Sequence, residues 1–139
     1  MSRLDSPSFA SLFIRIAIGL VFINSGWFKV ANIEVISGFF GMMGIPAFLT
    51  YFVAYAEFIG GILYILGLFV KYVGVITGVI MLVAILKVHL PNGYHLANNG
   101  YEYVLVLMLC SMAMVTLGAG KYSLEYLLKR RKEVSPIQE

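Results

Sequence analysis

Hydrophobic residues run in four long stretches along this chain, at 9–30, 48–70, 72–90 and 101–117, with polar and charged residues gathered between them. Each stretch is long enough to cross a bilayer as a helix. In a hydrocarbon core the backbone polar groups must be satisfied internally, and the alternating pattern of a membrane β-barrel is absent. The pattern therefore predicts an all-α integral membrane four-helix bundle. Spans two and three are separated by little more than Lys71, which predicts a tight hairpin. The first connection, 31–47, is longer and contains Gly38, Gly41, Gly44 and Pro46. Its apolar pairs Val35 and Ile36, Phe39 and Phe40, Met42 and Met43 recur at near-helical spacing. They predict a short interfacial helix, stopped by Gly44 and Pro46. The third connection, 91–100, carries Pro91, Asn92, Gly93 and Asn98, Asn99, Gly100, which is turn chemistry.

Composition sharpens this picture. Of 139 residues, 60% are hydrophobic and 12% charged, against about 45–50% and about 25% in a soluble domain. So small a globule has too little interior to hide that much apolar surface. A soluble globule, a disordered chain and a nucleic-acid-binding domain are excluded, and the length allows one domain, 1–139. Partners are a lipid bilayer and, in an assembly, a second copy or a different subunit, with no nucleic acid.

The basic residues then act as a topology signal. Arg3, Lys71, Lys121, Lys129, Arg130, Arg131 and Lys132 fall on one side, Lys29 and Lys87 on the other, and Arg15 lies inside span one. Both termini are expected in the cytoplasm, with the first and third connections outside, in a bacterial or archaeal cytoplasmic membrane. Arg15 interrupts the first apolar run and no small-residue cleavage pattern follows it, so the span is expected to be retained. The tail 121–139 is basic. Leu124, Leu127 and Leu128 against its basic run read as an anchor on anionic lipid. Cys110 is a lone cysteine in mid-span, which rules out an internal disulfide and a Cys-x-x-Cys pair.

A few polar residues fall where lipid would not tolerate them. At about 100° per residue, Arg15, Gly19, Phe22, Gly26 and Lys29 form one stripe on span one. Its two glycines allow another helix to approach closely. Span two carries a matching stripe of Thr50, Ala54, Glu57, Gly61, Tyr64 and Leu68. Glu57 lies deep in the hydrocarbon and must be protonated, paired, or both. Arg15 is its first candidate partner and Lys29 the second. Span three has a small-residue face at Gly74 and Gly78, which with the glycines of span one would also permit a homodimer. Thr77, Ile80, Ala84 and Lys87 share another face. Lys87 and His89 lie about 200° apart, so both face the bundle only if the helix unwinds there. Glu102, near the start of span four, is expected to pair with Lys87.

Simpler readings compete. Lys29 and Lys87 can snorkel to the headgroups, His89 and His95 can be interfacial, and two His with one Cys offer no recognisable metal-ligand spacing. The candidates for chemistry are Glu57, Lys87, His89 and Glu102. Those for ligand binding are Arg15, Lys29, Glu57, Lys87 and Glu102. No metal set is expected.

Seven segments in order resemble the DoxX family of small membrane proteins, over about residues 9–130. They are Arg15-x3-Gly19-x2-Phe22-x3-Gly26-x2-Lys29, the turn Met43, Gly44, Ile45, Pro46, Glu57-x2-Gly60-Gly61, and Gly67 with Lys71. Then come Ala84-Ile85-x3-His89, the run Gly100, Tyr101, Glu102, Tyr103, and Gly118-x-Gly120-x-Tyr122-Ser123. Ala119 departs from the proline the family often has between those last two glycines, which is expected to loosen that connection. The resemblance implies a four-helix membrane bundle. For function it implies a subunit of a membrane oxidoreductase linked to the quinone pool or to thiol and sulfur chemistry. No flavin, haem or iron–sulfur motif is recognisable in the chain, so any redox chemistry would need a bound quinone, a partner subunit or a cofactor without a recognisable motif. A non-enzymatic membrane anchor or scaffold for a soluble partner is the alternative. A small-molecule or lipid binding or transport protein is the second alternative.

Overall fold

The computed structural model describes residues 6–134. Arg3 and the last five residues of the tail lie outside them. Among the described residues there are helices and turns and no strand. Six α-helices follow one another: α1 (Ser6–Ala31), α2 (Ile33–Met42), α3 (Ala47–Leu66), α4 (Val70–Ala84), α5 (Glu102–Leu117) and α6 (Leu124–Val134). α4 continues without a break through a π-helical turn, Ile85–His89, and a 3₁₀ turn, Leu90–Asn92. By length and composition α1, α3 and the continuous segment Val70–Asn92 could each cross a membrane. α5 is apolar but has 16 residues, which reach about 24 Å at 1.5 Å per residue.

Chain punctuation explains the boundaries. α2 stops where Gly44 takes φ +76°, and α3 begins directly after Pro46. The hairpin between α3 and α4 comes earlier than hydrophobicity alone suggests. Gly67, at φ +72°, closes α3 by donating to Leu63 O at 2.8 Å, and Leu68 N–H adds a bond to the same oxygen at 3.0 Å. A glycine adopts this left-handed conformation without steric penalty, so the cap wins over the apolar run that continues past it. Lys71 therefore sits in the first turn of α4 rather than in the connection. The segment expected to be a turn between α4 and α5 is compact. Tyr101 N–H donates to Gly93 O at 3.0 Å and Glu102 N–H to Tyr94 O at 2.9 Å.

α1 lies antiparallel against α3, and α4 against α5; contacts of α1 with α5 and α3 with α4 close the ring. Glycines set the closeness. A side chain at Gly26 would fall on the backbone of Phe58, one at Gly61 would lie 2.6 Å from Ile23 N, and one at Gly74 would lie 2.8 Å from Ser111 O. These glycines thus meet helices of the same chain.

The burial pattern is inverted relative to a soluble domain. Phe13, Tyr72, Val79, Leu86 and Met112 are exposed, whereas Ser11, Arg15, Thr50, Glu57, Thr77 and Ser111 are buried. Tyr64 OH lies 2.8 Å from Thr77 Oγ1, which in turn lies 3.0 Å from Ser111 Oγ, so a chain of hydroxyls ties α3, α4 and α5 together. A second knot lies at the Arg15 end. Ser11 Oγ–H donates to Gly118 O at 2.6 Å, Lys121 N–H to Ser8 Oγ at 3.2 Å and Glu125 N–H to Gly67 O at 3.2 Å. The start of the tail is therefore built into the bundle, and Ser123 opens α6 by accepting from Tyr126 N–H at 3.2 Å. α6 itself buries nothing.

Candidate functional site

Glu57 finds its partner on α1, and the partner is Lys29. Lys29 Nζ donates to Glu57 Oε2 at 2.6 Å and to Ser25 Oγ at 2.6 Å; Ser25 Oγ–H donates to the same Oε2 at 2.8 Å. Ser25 and Lys29 are neighbours one turn apart on α1, so two side chains from one helix close on one carboxylate from the next.

Arg15, the first candidate partner, does not reach Glu57. The register decides this. Arg15 lies beside Gly67 while Gly26 lies on Phe58, so eleven residues of α1, about 16 Å, separate Arg15 from the level of Glu57. The guanidinium instead donates to Tyr64 O at 3.2 Å, to Ile65 O at 3.5 Å and to Tyr122 O at 2.6 Å. It caps the C-terminal carbonyls of α3, where helix polarity favours a cation, and fastens the α5–α6 connection to them.

The expected Lys87–Glu102 pair is also absent among the described residues. Glu102 Oε2 accepts from Leu96 N–H at 3.0 Å, holding the turn that precedes its own helix. Lys87 is exposed. The π-helical turn separates Lys87 from the buried face that holds Thr77 and Ile80, and half-buried His89 lies at its end. His89 Nδ1 lies 2.9 Å from Asn99 O. A carbonyl only accepts, so Nδ1 carries a proton, and in the neutral ring Nε2 is an acceptor.

Lys29, Glu57 and His89 line one cavity of about 940 Å³. Ser25 and Asn24 join them, and so do Phe22, Leu107, Ile80 and Met81 from the core. α2 supplies Ile36, Phe39 and Phe40, and the rim includes Leu96, Asn99, Gly100 and Tyr103. Arg15, Lys87 and Glu102 take no part in it. The volume lies at the upper end of small-molecule sites, about 300–1,000 Å³. Its lining is mostly apolar, with the Lys29–Ser25–Glu57 cluster offering both donors and acceptors. The buried face of the Phe22 ring stacks on Tyr64, with ring centres 6.0 Å apart, and separates the cavity from the hydroxyl chain beyond. No group of three His, Cys, Asp or Glu converges as a metal site among the described residues.

Two features of the site region are not among the sequence-based expectations. Ser25 joins the ion pair, and its place four residues before Lys29 is a usable signal. The chain Tyr64, Thr77, Ser111 exists only once three helices are brought together.

The helices that build this site are shared with known proteins. The DoxX family model covers residues 10–90. The chain belongs to the DoxX family. A Bacillus subtilis (strain 168) protein named "Putative oxidoreductase CatD" is 33% identical over 104 residues, 75% of this chain and 77% of that protein. An uncharacterized protein of Haemophilus influenzae is 32% identical over 87 residues, 62% of this chain and 58% of that one. No solved structure matches. The DoxX match spans Lys29, Glu57 and His89, with all the helices that position them except α5.

Proposed function

We propose that this DoxX protein is a multi-pass protein of a bacterial or archaeal cytoplasmic membrane, serving as the quinone-binding subunit of a membrane oxidoreductase linked to the quinone pool or to thiol and sulfur chemistry. The observation that carries the proposal is the Lys29–Ser25–Glu57 cluster facing an apolar cavity. The name of the Bacillus subtilis relative points the same way. α1, α3, α4 with its extension, and α5 each cross the bilayer in this reading. Both termini lie in the cytoplasm, because basic residues crowd the Arg15 end. α2 and α6 then lie on opposite surfaces.

The residues fit such a ligand. Lys29 donates a hydrogen bond to a head-group oxygen, and its partner Glu57 accepts from a hydroxyl or receives a proton. His89 Nε2, at the rim, exchanges protons with the outer surface. Phe22 and Leu107 keep water from the inner half. A bound lipid quinone supplies two-electron, two-proton carrier chemistry, and the electrons pass to or from a partner subunit carrying a redox cofactor.

The protein is purified in mild detergent, and its solvent extract is analysed by mass spectrometry. About one quinone per chain is expected, lost in Lys29→Met. Absence of quinone from the extract, with no quenching of Trp27 by an added short-chain quinone, overturns the proposal. The breadth of the apolar lining supports one second reading, the binding of another lipid or small molecule without redox work. Recovery of such an amphiphile in place of quinone favours it.

A further inference from the structure

We propose that Glu57 makes this cavity selective for a lipid-soluble hydroquinone or phenol over the corresponding quinone. The inference rests on the quinone-linked reading of the site and specifies which redox form it holds. It follows from an account of donors and acceptors.

Lys29 Nζ carries three N–H groups, of which two are committed, to Ser25 Oγ and to Glu57 Oε2. The Ser25 hydroxyl proton is committed to Oε2 as well. Oε2 therefore accepts twice. Oε1 has no partner among the described residues. It is not one of the sealed, unpartnered atoms of the interior, and Glu57 lines the cavity. The site thus presents one ammonium N–H and one carboxylate oxygen side by side. A carboxylate oxygen only accepts.

A ligand oxygen placed there must accept from Lys29 and donate to Oε1. A hydroxyl does both. A quinone carbonyl does only the first, and turns its lone pairs toward Oε1. A fatty-acid head group, ionised, would set two anions together. His89 Nε2, also on the cavity wall, is in the neutral ring again an acceptor, because Nδ1–H is held by Asn99 O. Oε1 and His89 Nε2 both ask for an O–H. In an apolar surround an unpaired group of this kind costs affinity by a factor of about ten to a hundred.

The test uses the full chain in lipid nanodiscs under argon. The probes are a decyl-substituted benzoquinone, its borohydride-reduced hydroquinone and the dimethyl ether of that hydroquinone. Dissociation constants are read from Trp27, the single tryptophan, whose ring centre lies 5.8 Å from that of Phe58, next to Glu57. The hydroquinone is expected to bind about tenfold to a hundredfold more tightly than the other two probes. Glu57→Gln, whose amide can donate to a carbonyl, should bring hydroquinone and quinone within about threefold. Equal or tighter binding of quinone, or of the dimethyl ether, overturns this inference while leaving the quinone-linked reading intact; the ether needs no variant to fold. Binding of none of the probes overturns both.

Discussion

Lys29 Nζ and Glu57 Oε2 lie 2.6 Å apart, yet the carboxylate side chain is 2% exposed while the lysine side chain keeps 19%. The anion carries most of the desolvation, and the cation is the partner that a ligand can reach. Removing the lysine should therefore hurt more than removing both. Lys29→Met leaves Glu57 with Ser25 as its one donor, and an orphaned buried charge typically costs about 3–5 kcal/mol. Lys29→Met with Glu57→Leu should melt higher than Lys29→Met alone in nanodisc thermal unfolding. A double variant that melts lower would show that the pair is not coupled as the geometry states.

Glycine substitutions should separate sharply by position. Gly26→Ala drives a methyl into the Phe58 backbone, and Gly61→Ala meets Ile23 N at 2.6 Å, so helix must move from helix. Overpacking of this kind costs about 1–3 kcal/mol or more. At Gly78 the nearest atom, Ser111 Cβ, stands 3.9 Å away, and Gly78→Ala should be neutral or stabilising. Melting temperatures of the three variants check the order.

Arg15 should act through its fork of donors. It bridges α3 carbonyls to Tyr122 O, and lysine offers no planar fork to span them. Arg15→Lys is expected to lose most of what Arg15→Met loses, about 2 kcal/mol for hydrogen bonds made by a charged group. Hydrogen exchange should rise first at 118–125, where the tail is tied to α1 and Gly67. Quinone or hydroquinone affinity should be unchanged, since Arg15 does not line the cavity.

Tyr64→Phe removes one member of the buried hydroxyl chain while keeping the ring on Phe22. Thr77 Oγ1 retains Val73 O at 2.8 Å and Ser111, so the loss should be about 1 kcal/mol. Thr77→Val removes the central hydroxyl, leaves Tyr64 OH buried without it, and should cost more. Thermal unfolding of the two variants side by side decides the order.

Much of the architecture is readable along the chain. Four apolar stretches appear as α1, α3, α4 with its extension, and α5, and the first connection folds into α2 up to Gly44. The α3–α4 boundary is not readable in this way, because hydropathy is blind to backbone handedness while Gly67 is a helix stop through its φ alone. The glycine faces stand out by spacing, but whether they meet a helix of the same chain or another copy is a question of neighbours.

Sequence by itself determined that polar residues this deep in apolar helices must face protein, because hydrocarbon cannot solvate them. That alone singles out Arg15, Lys29 and Glu57. Which cation meets the carboxylate was decided only by the tertiary register. Periodicity gives the angle of a residue around its helix but not its height against a neighbour. The contacts of Gly26 with Phe58 and of Arg15 with Gly67 set that height, giving Glu57 to Lys29 and leaving Arg15 to the carbonyls at the other end. The same packing opened the cavity beside the pair, a volume between helices that no single segment encodes.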